Sequence, residues 1–132
     1  MTLRIENDTI ASINASADWT VTPTHGVLWA NGVPVDTNTF AAAVERPEDG
    51  DAFQFPTSGM QFDNAITNMN ELGAKEIFDA AVEAGTINWR VSLHDGDPGA
   101  DYTQNEITAA EAPGYVPGAS GRMPVTVRVV RI

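Results

Sequence analysis

Hydrophobic and polar positions alternate through the first third of the chain, which reads as short strands and turns. Leu3 and Ile5 alternate with Arg4 and Glu6, and Asn7-Asp8 suits a turn. Ile10 and Ile13 flank Ala11-Ser12, and Trp19, Val21 and Pro23 alternate with Thr20, Thr22 and Thr24. Val27-Leu28-Trp29 and Val33-Pro34-Val35 are separated by Ala30-Asn31-Gly32. Asn-Gly between two apolar runs predicts a hairpin, because both residues tolerate positive φ. Pro47-Glu48-Asp49-Gly50-Asp51 has the composition of an exposed acidic loop. Phe53 and Phe55 alternate around Gln54 as a short strand that Pro56 ends.

The period changes in the middle of the chain. Leu72, Ile77, Phe78, Ala81 and Val82 recur at helical spacing, with Glu76, Asp79 and Glu83 opposite them. Asn70 suits the N-cap, Glu71 the positive end of the helix dipole, and Gly85 a left-handed C-cap. The pattern predicts a helix over residues 70–84. A start near Asp63 is the alternative, against which Asn64, Thr67, Asn68 and Asn70 count as poor helix formers. Ile87, Trp89, Val91 and Leu93 then alternate with Asn88, Arg90, Ser92 and His94. This predicts a half-buried strand covered by the helix. A long loop rich in Gly, Pro, Asp and Ala fills residues 95–121, and residues 124–132 read as a last strand. The fold class expected is α+β: mainly antiparallel β sheet, or a small sandwich, with one main helix. A single domain spans residues 1–132, with a β-rich part over residues 1–60 followed by helix, strand, loop and strand over residues 61–132.

Charge narrows the partners. The chain has 132 residues with 7 Lys and Arg against 18 Asp and Glu, a net charge of −11. Such a chain repels phosphate backbones and anionic bilayers, so neither nucleic acid nor membrane is expected as a partner. The acids concentrate in the middle, whereas after Glu111 only Arg122, Arg128 and Arg131 carry charge. These arginines either dock on a neighbouring acidic subunit or fold back on the chain's own acidic body. Cysteine is absent, which excludes disulfides and thiolate metal sites. The N-terminus lacks the basic-then-apolar form of a signal peptide.

Candidate chemistry is sparse. Asp95, Asp97, Asp101 and Glu106 crowd one loop and raise a calcium site, but their spacing fails the EF-hand pattern and a solvated acidic loop is favoured. His25 and His94 are the two histidines, each read as a local hydrogen-bonding residue rather than a metal ligand. Ser92 stands two residues before His94 on one strand face, without the glycine elbow of a nucleophile. A small hydrolase using Asp97, Asp101 or Glu106 is the remote alternative. Trp19, Trp29 and Trp89 could stack on sugars, but more often such residues anchor a core or a subunit interface. Trp89 reads as core, whereas Trp29, beside the hairpin turn, is a candidate for an interface or glycan contact. No cofactor, metal or catalytic residue is expected.

Leu93-His94, Asp97-Pro98-Gly99, Asn105-Glu106 and Gly114-Tyr115 follow the helix in that order, ahead of a Val-rich strand. This order resembles small virion proteins of tailed bacteriophages, described variously as tail fibre, minor tail or head accessory proteins. The likeness covers about the second half of the chain. It departs at Asp95-Gly96, where the pattern has Thr-Ala, and after Tyr115, where Val116-Pro117 replaces Ala-Arg. The resemblance implies a non-enzymatic virion protein assembled in the host cytoplasm. The leading expectation is a capsid decoration or cement protein that binds capsid or tail proteins and copies of itself. A tail fibre or baseplate subunit touching the host surface is the alternative. Trp29, Arg122, Arg128 and Arg131 are the interface candidates. His94, Asp97, Pro98, Gly99, Asn105, Glu106 and Tyr115 are expected to organise the loop.

Overall fold

The computed structural model describes residues 2–40, 46–65, 69–118 and 122–132, without the side chain of Glu71. Among these residues the architecture is antiparallel β in three sheets, with one helix. A three-stranded sheet places β1 (Thr2–Asn7) between β6 (Gln61–Ala65) and β9 (Val127–Arg131). A two-stranded ribbon pairs β2 (Ala11–Asn14) with β5 (Ala52–Phe55). A four-stranded sheet runs β4 (Val33–Thr39), β3 (His25–Ala30), β7 (Trp89–His94) and β8 (Met123–Pro124). Leu3, Ile5, Phe53, Phe55, Leu28, Val91, Leu93 and Met123 supply buried apolar side chains from all three sheets to one core.

The β3–β4 hairpin turns where the sequence predicts, with Asn31 at φ 49° and Gly32 at φ 79°. Pro34 lies on the edge strand β4 beside a bulge in register, where its missing N–H costs no ladder bond. The helix α1 (Glu71–Glu83) is capped by Asn70, whose side chain accepts from the Leu72 and Gly73 amides. Gly85 follows it at φ 66°.

Asp63 lies in β6, paired with Arg4 of β1, which leaves the helix to begin at Glu71. Four expectations are corrected. The helix packs mainly on β9 and β1 rather than on β7. Its buried stripe is Ala74, Phe78, Ala81 and Val82, while Leu72 and Ile77 stand 60% and 62% exposed. The final segment is two strands in different sheets, because Val125 makes the last bond to β7, donating to the Trp89 carbonyl at 3.2 Å, before Val127 joins β1. Trp19 and Pro23 are buried, but residues 19–24 form no ladder, since Trp19 and Thr20 bond to the separate carbonyls of Pro47 and Glu111.

Candidate functional site

The polar face of β7 organises the site. Asn88, Arg90, Ser92 and His94 follow one another on that face, and Trp29 of β3 stands directly opposite Arg90. The sequence pattern predicts this face to be solvated. Instead Ser92 and His94 are fully buried, because residues 95–118 fold over them. Only the Asn88 and Arg90 end stays open.

The long loop continues the sheet. Beyond Met123 and Pro124, which pair with Arg90 and Val91, the free edge of β7 needs new partners. The Tyr115 hydroxyl accepts from the Leu93 amide at 3.1 Å. The Leu93 carbonyl accepts from the Ile107 amide at 2.9 Å, and Asp95 N–H donates to the Asn105 carbonyl at 3.1 Å. A phenol and a short loop segment thus replace a strand along this edge.

The buried polar groups satisfy one another. The Gln104 carbonyl can only accept, so the Nδ1 of His94, at 2.7 Å, carries the proton. Nε2 then accepts from the Ser92 hydroxyl at 2.8 Å, and Ser92 Oγ accepts from the Trp29 indole at 2.7 Å. Burial lowers the His94 pKa, against the Gln104 carbonyl and Glu106, which favour a charged ring. Ser92 and His94 therefore form a hydrogen-bonded pair closed to solvent, in which the serine has no path to a substrate.

Glu106 anchors the second half of the network. Its carboxylate accepts two bonds from the Arg122 guanidinium, at 2.8 and 3.0 Å, and one from the Tyr115 hydroxyl. The Gly118 amide approaches it at 3.4 Å. Burial alone would raise the Glu106 carboxyl, but the bonds from Arg122 and Tyr115 outweigh it and hold the group below its usual range. Burial and Glu106 together push the Tyr115 phenol far above its ordinary value, so it remains a donor. Arg122 in turn lies over the Trp29 ring, 4.2 Å from its centroid.

Each loop-organising residue falls in or beside this network. Asp97 Oδ1 accepts from the Gly99 amide at 2.9 Å, buried Pro98 sits between them, and Gly99 turns at φ 76°. Asn105 donates through its side chain to the Asp97 carbonyl at 2.8 Å. Gly114 lets the chain pass so close to β2 that a Cβ there would meet the Asn14 carbonyl oxygen at 2.1 Å. That passage delivers Tyr115 to β7. Asp95, Asp97, Asp101 and Glu106 do not converge, and no group of three potential metal ligands assembles among the described residues.

The interface candidates divide. Trp29 and Arg122 are turned inward, 7% and 8% exposed, because one closes the relay through Ser92 and the other neutralises Glu106. Arg128 binds Glu6 at 2.8 Å and approaches Asp8 at 3.6 Å, so this part of the basic tail folds back on its own acidic body. Arg131, on the edge strand β9, is exposed and also takes part in a contact.

Above the network opens a cleft of about 550 Å³. Trp29 and Arg122 form its inner wall, and Asn88, Arg90, Thr103 and the backbone at Gly32 and Gly118 its rim. Arg90 is half-buried and donates to the Arg122 carbonyl at 2.9 Å and to Asn88 Oδ1 at 3.3 Å. Arg90, Asn88 and Thr103 did not stand out in the sequence. The available signal was the unbroken polar face of β7 opposite Trp29. No helix among the described residues is long and apolar enough to cross a membrane. No family model, curated protein or solved structure matches the chain.

Proposed function

We propose that the chain is a non-enzymatic structural accessory protein of a tailed-bacteriophage virion, a decoration or cement subunit on the outer surface of the head. One observation carries this reading. The residues through which the chain resembles such proteins organise residues 95–118 over β7: His94, Glu106 and Tyr115 join the loop to the strand, and Asp97, Gly99 and Asn105 bond one another within the loop. In this reading the shared pattern encodes a rigid loop scaffold rather than a catalytic centre.

The surface is consistent with docking onto a shell. Val33 and Val35 project from the edge strand β4, and Met69, Leu72 and Ile77 stand exposed at and beside the helix. Burying such positions across neighbouring capsid subunits would stabilise the shell by mass action. Trp29 is buried beneath Arg122, which leaves little ring for a glycan and weighs against the tail-fibre alternative.

Labelled antibody on intact phage particles tests the proposal. Dense, regularly spaced label over the head is expected, together with earlier heat rupture of heads that lack the protein. Label confined to the tail, or heads of unchanged heat stability, would overturn it.

A further inference from the structure

We propose that the cleft formed by Trp29, Arg90 and Arg122 receives carboxylates from the acidic turn at residues 48–51 of a second copy of the chain. The inference is independent of the virion reading, because it concerns the isolated protein.

The cleft runs against the charge of the molecule. The chain carries −11 overall, yet the cleft's charged lining residues are Arg90, Arg122 and Glu106. Glu106 is already engaged by Arg122 and Tyr115. Arg90 bonds only to two neutral oxygens and has no ion pair among the described residues. A half-buried guanidinium in a concave, aromatic-walled site without a counter-ion attracts an anion and can bind a carboxylate through two parallel bonds. The Asn88 amide and Thr103 hydroxyl on the same rim supply further polar contacts.

The turn offers the complementary group. Glu48, Asp49 and Asp51 are exposed and make no ion pair among the described residues. The turn is already ordered: Asp51 N–H donates to the Glu48 carbonyl at 2.9 Å, and Gly50 lies at φ 86°. Its root is tied down by Gly50 N–H to the Ala15 carbonyl at 3.0 Å and Asp49 N–H to Asp18 Oδ1 at 2.8 Å. An exposed acidic turn held by these bonds loses less conformational entropy on docking than an unrestrained one. None of its residues lines the cleft of its own chain. Cleft and turn are different patches, so the contact is head-to-tail and can propagate over a surface. Repulsion between two copies at −11 opposes the approach. Salt near 0.15 M shortens its reach to about 8 Å and screens the partly buried contact less.

The test is sedimentation equilibrium of the full chain at about 0.15 M salt, over a concentration series. Variants are Arg90→Glu, the turn variant Glu48→Lys with Asp49→Lys, and the two combined. Wild type should self-associate, each reversal alone should weaken association about tenfold, and the combination should recover to within about threefold of wild type. Arg90 also holds the Arg122 carbonyl, so circular dichroism checks the fold. If Arg90→Glu is unfolded, Arg90→Gln and the turn variant decide, each expected to weaken association. A strictly monomeric wild type, unchanged association in folded Arg90 variants, or a turn variant that associates like wild type would overturn the proposal.

Discussion

Arg122 and Arg128 lie six residues apart and meet carboxylates in opposite settings. The pair of Arg122 and Glu106 is almost sealed, with side chains 9% and 11% exposed, a bidentate contact, and Tyr115 and Trp29 packed around it. Arg128 is 46% exposed and reaches Glu6 and Ser58 along the surface of the β1–β9 sheet. Removing two charges from water is costly, and only the full set of hydrogen bonds on Glu106 offsets it. The sealed pair is therefore the more fragile to a single substitution. It also defines where a residue change propagates, since Glu106 bonds Tyr115 and Tyr115 bonds the β7 backbone.

The sharpest way to break this contrast is Glu106→Ala. It strands the Arg122 guanidinium in a buried site and removes the acceptor of the Tyr115 hydroxyl. Loss of about 3–5 kcal/mol is expected in urea unfolding followed by Trp fluorescence. Replacing both partners by apolar residues, Glu106→Leu with Arg122→Met, should cost clearly less than Glu106→Ala alone. A double variant as unstable as the single one would show that packing, not the stranded charge, controls the site.

Gly114→Ala tests the same region through the backbone. Its φ of 101° and the 2.1 Å approach of a Cβ to the Asn14 oxygen require the chain to shift. A cost of about 1–3 kcal/mol is expected from the strained conformation, with displacement of Tyr115 from Leu93. Hydrogen exchange at the Leu93 amide reads the displacement directly. An exchange rate equal to wild type would show that the loop absorbs the shift without moving the phenol.

Acid should open this half of the molecule before the other. His94 is buried neutral and its pKa lies below the usual imidazole value of 6.5. The unfolded chain thus takes up a proton first, and the stability tied to neutral His94 is lost as pH falls below about 6.5, toward the folded value. Glu106 has a lowered pKa, so its contribution persists to lower pH and is lost only as pH falls below about 4.5, through its folded value. Amides in residues 95–118 should gain exchange, relative to β1 and β9, across the first window. His94→Gln should flatten that first step. Equal slopes in the two regions, or a first step retained in His94→Gln, would contradict the assignment.

Local signals made much of the fold legible. Asn31-Gly32 between apolar runs, Asn70 and Gly85 around a helical period, and Phe53 and Phe55 before Pro56 each name an element by local conformation. β6 was hidden because Asp63 and Asn64 are weak strand formers, placed there by pairing with Arg4 and Leu3 of β1. The apolar period includes Leu72 and Ile77, yet both stand exposed, so periodicity alone does not single out the face that meets β9. Burial on both faces of β7 was illegible, since what covers Ser92 and His94 lies ten or more residues away in an irregular loop. Individual loop residues stood out, but not their mutual bonds. The joining of Glu106 to Arg122 spans 16 positions and follows from tertiary closure alone.

The smallest expected effect completes the contrast. Arg128→Ala removes contacts to Glu6, Asp8 and Ser58, but solvent replaces them at an arginine that is half exposed. The arginine side chain also regains rotamer freedom. A loss of about 0–1 kcal/mol is expected, shrinking further at high salt, because exposed pairs combine weak Coulomb attraction with an entropic cost and are screened. Glu6 is the reason the value need not be zero: at 7% side-chain exposure it is the less hydrated partner. Urea unfolding of Arg128→Ala at low and high salt measures both terms. A loss that matched Glu106→Ala and ignored salt would show that Glu6 is stranded like a buried charge. The pairs of Arg122 and Arg128 would then be energetically alike despite their different exposure.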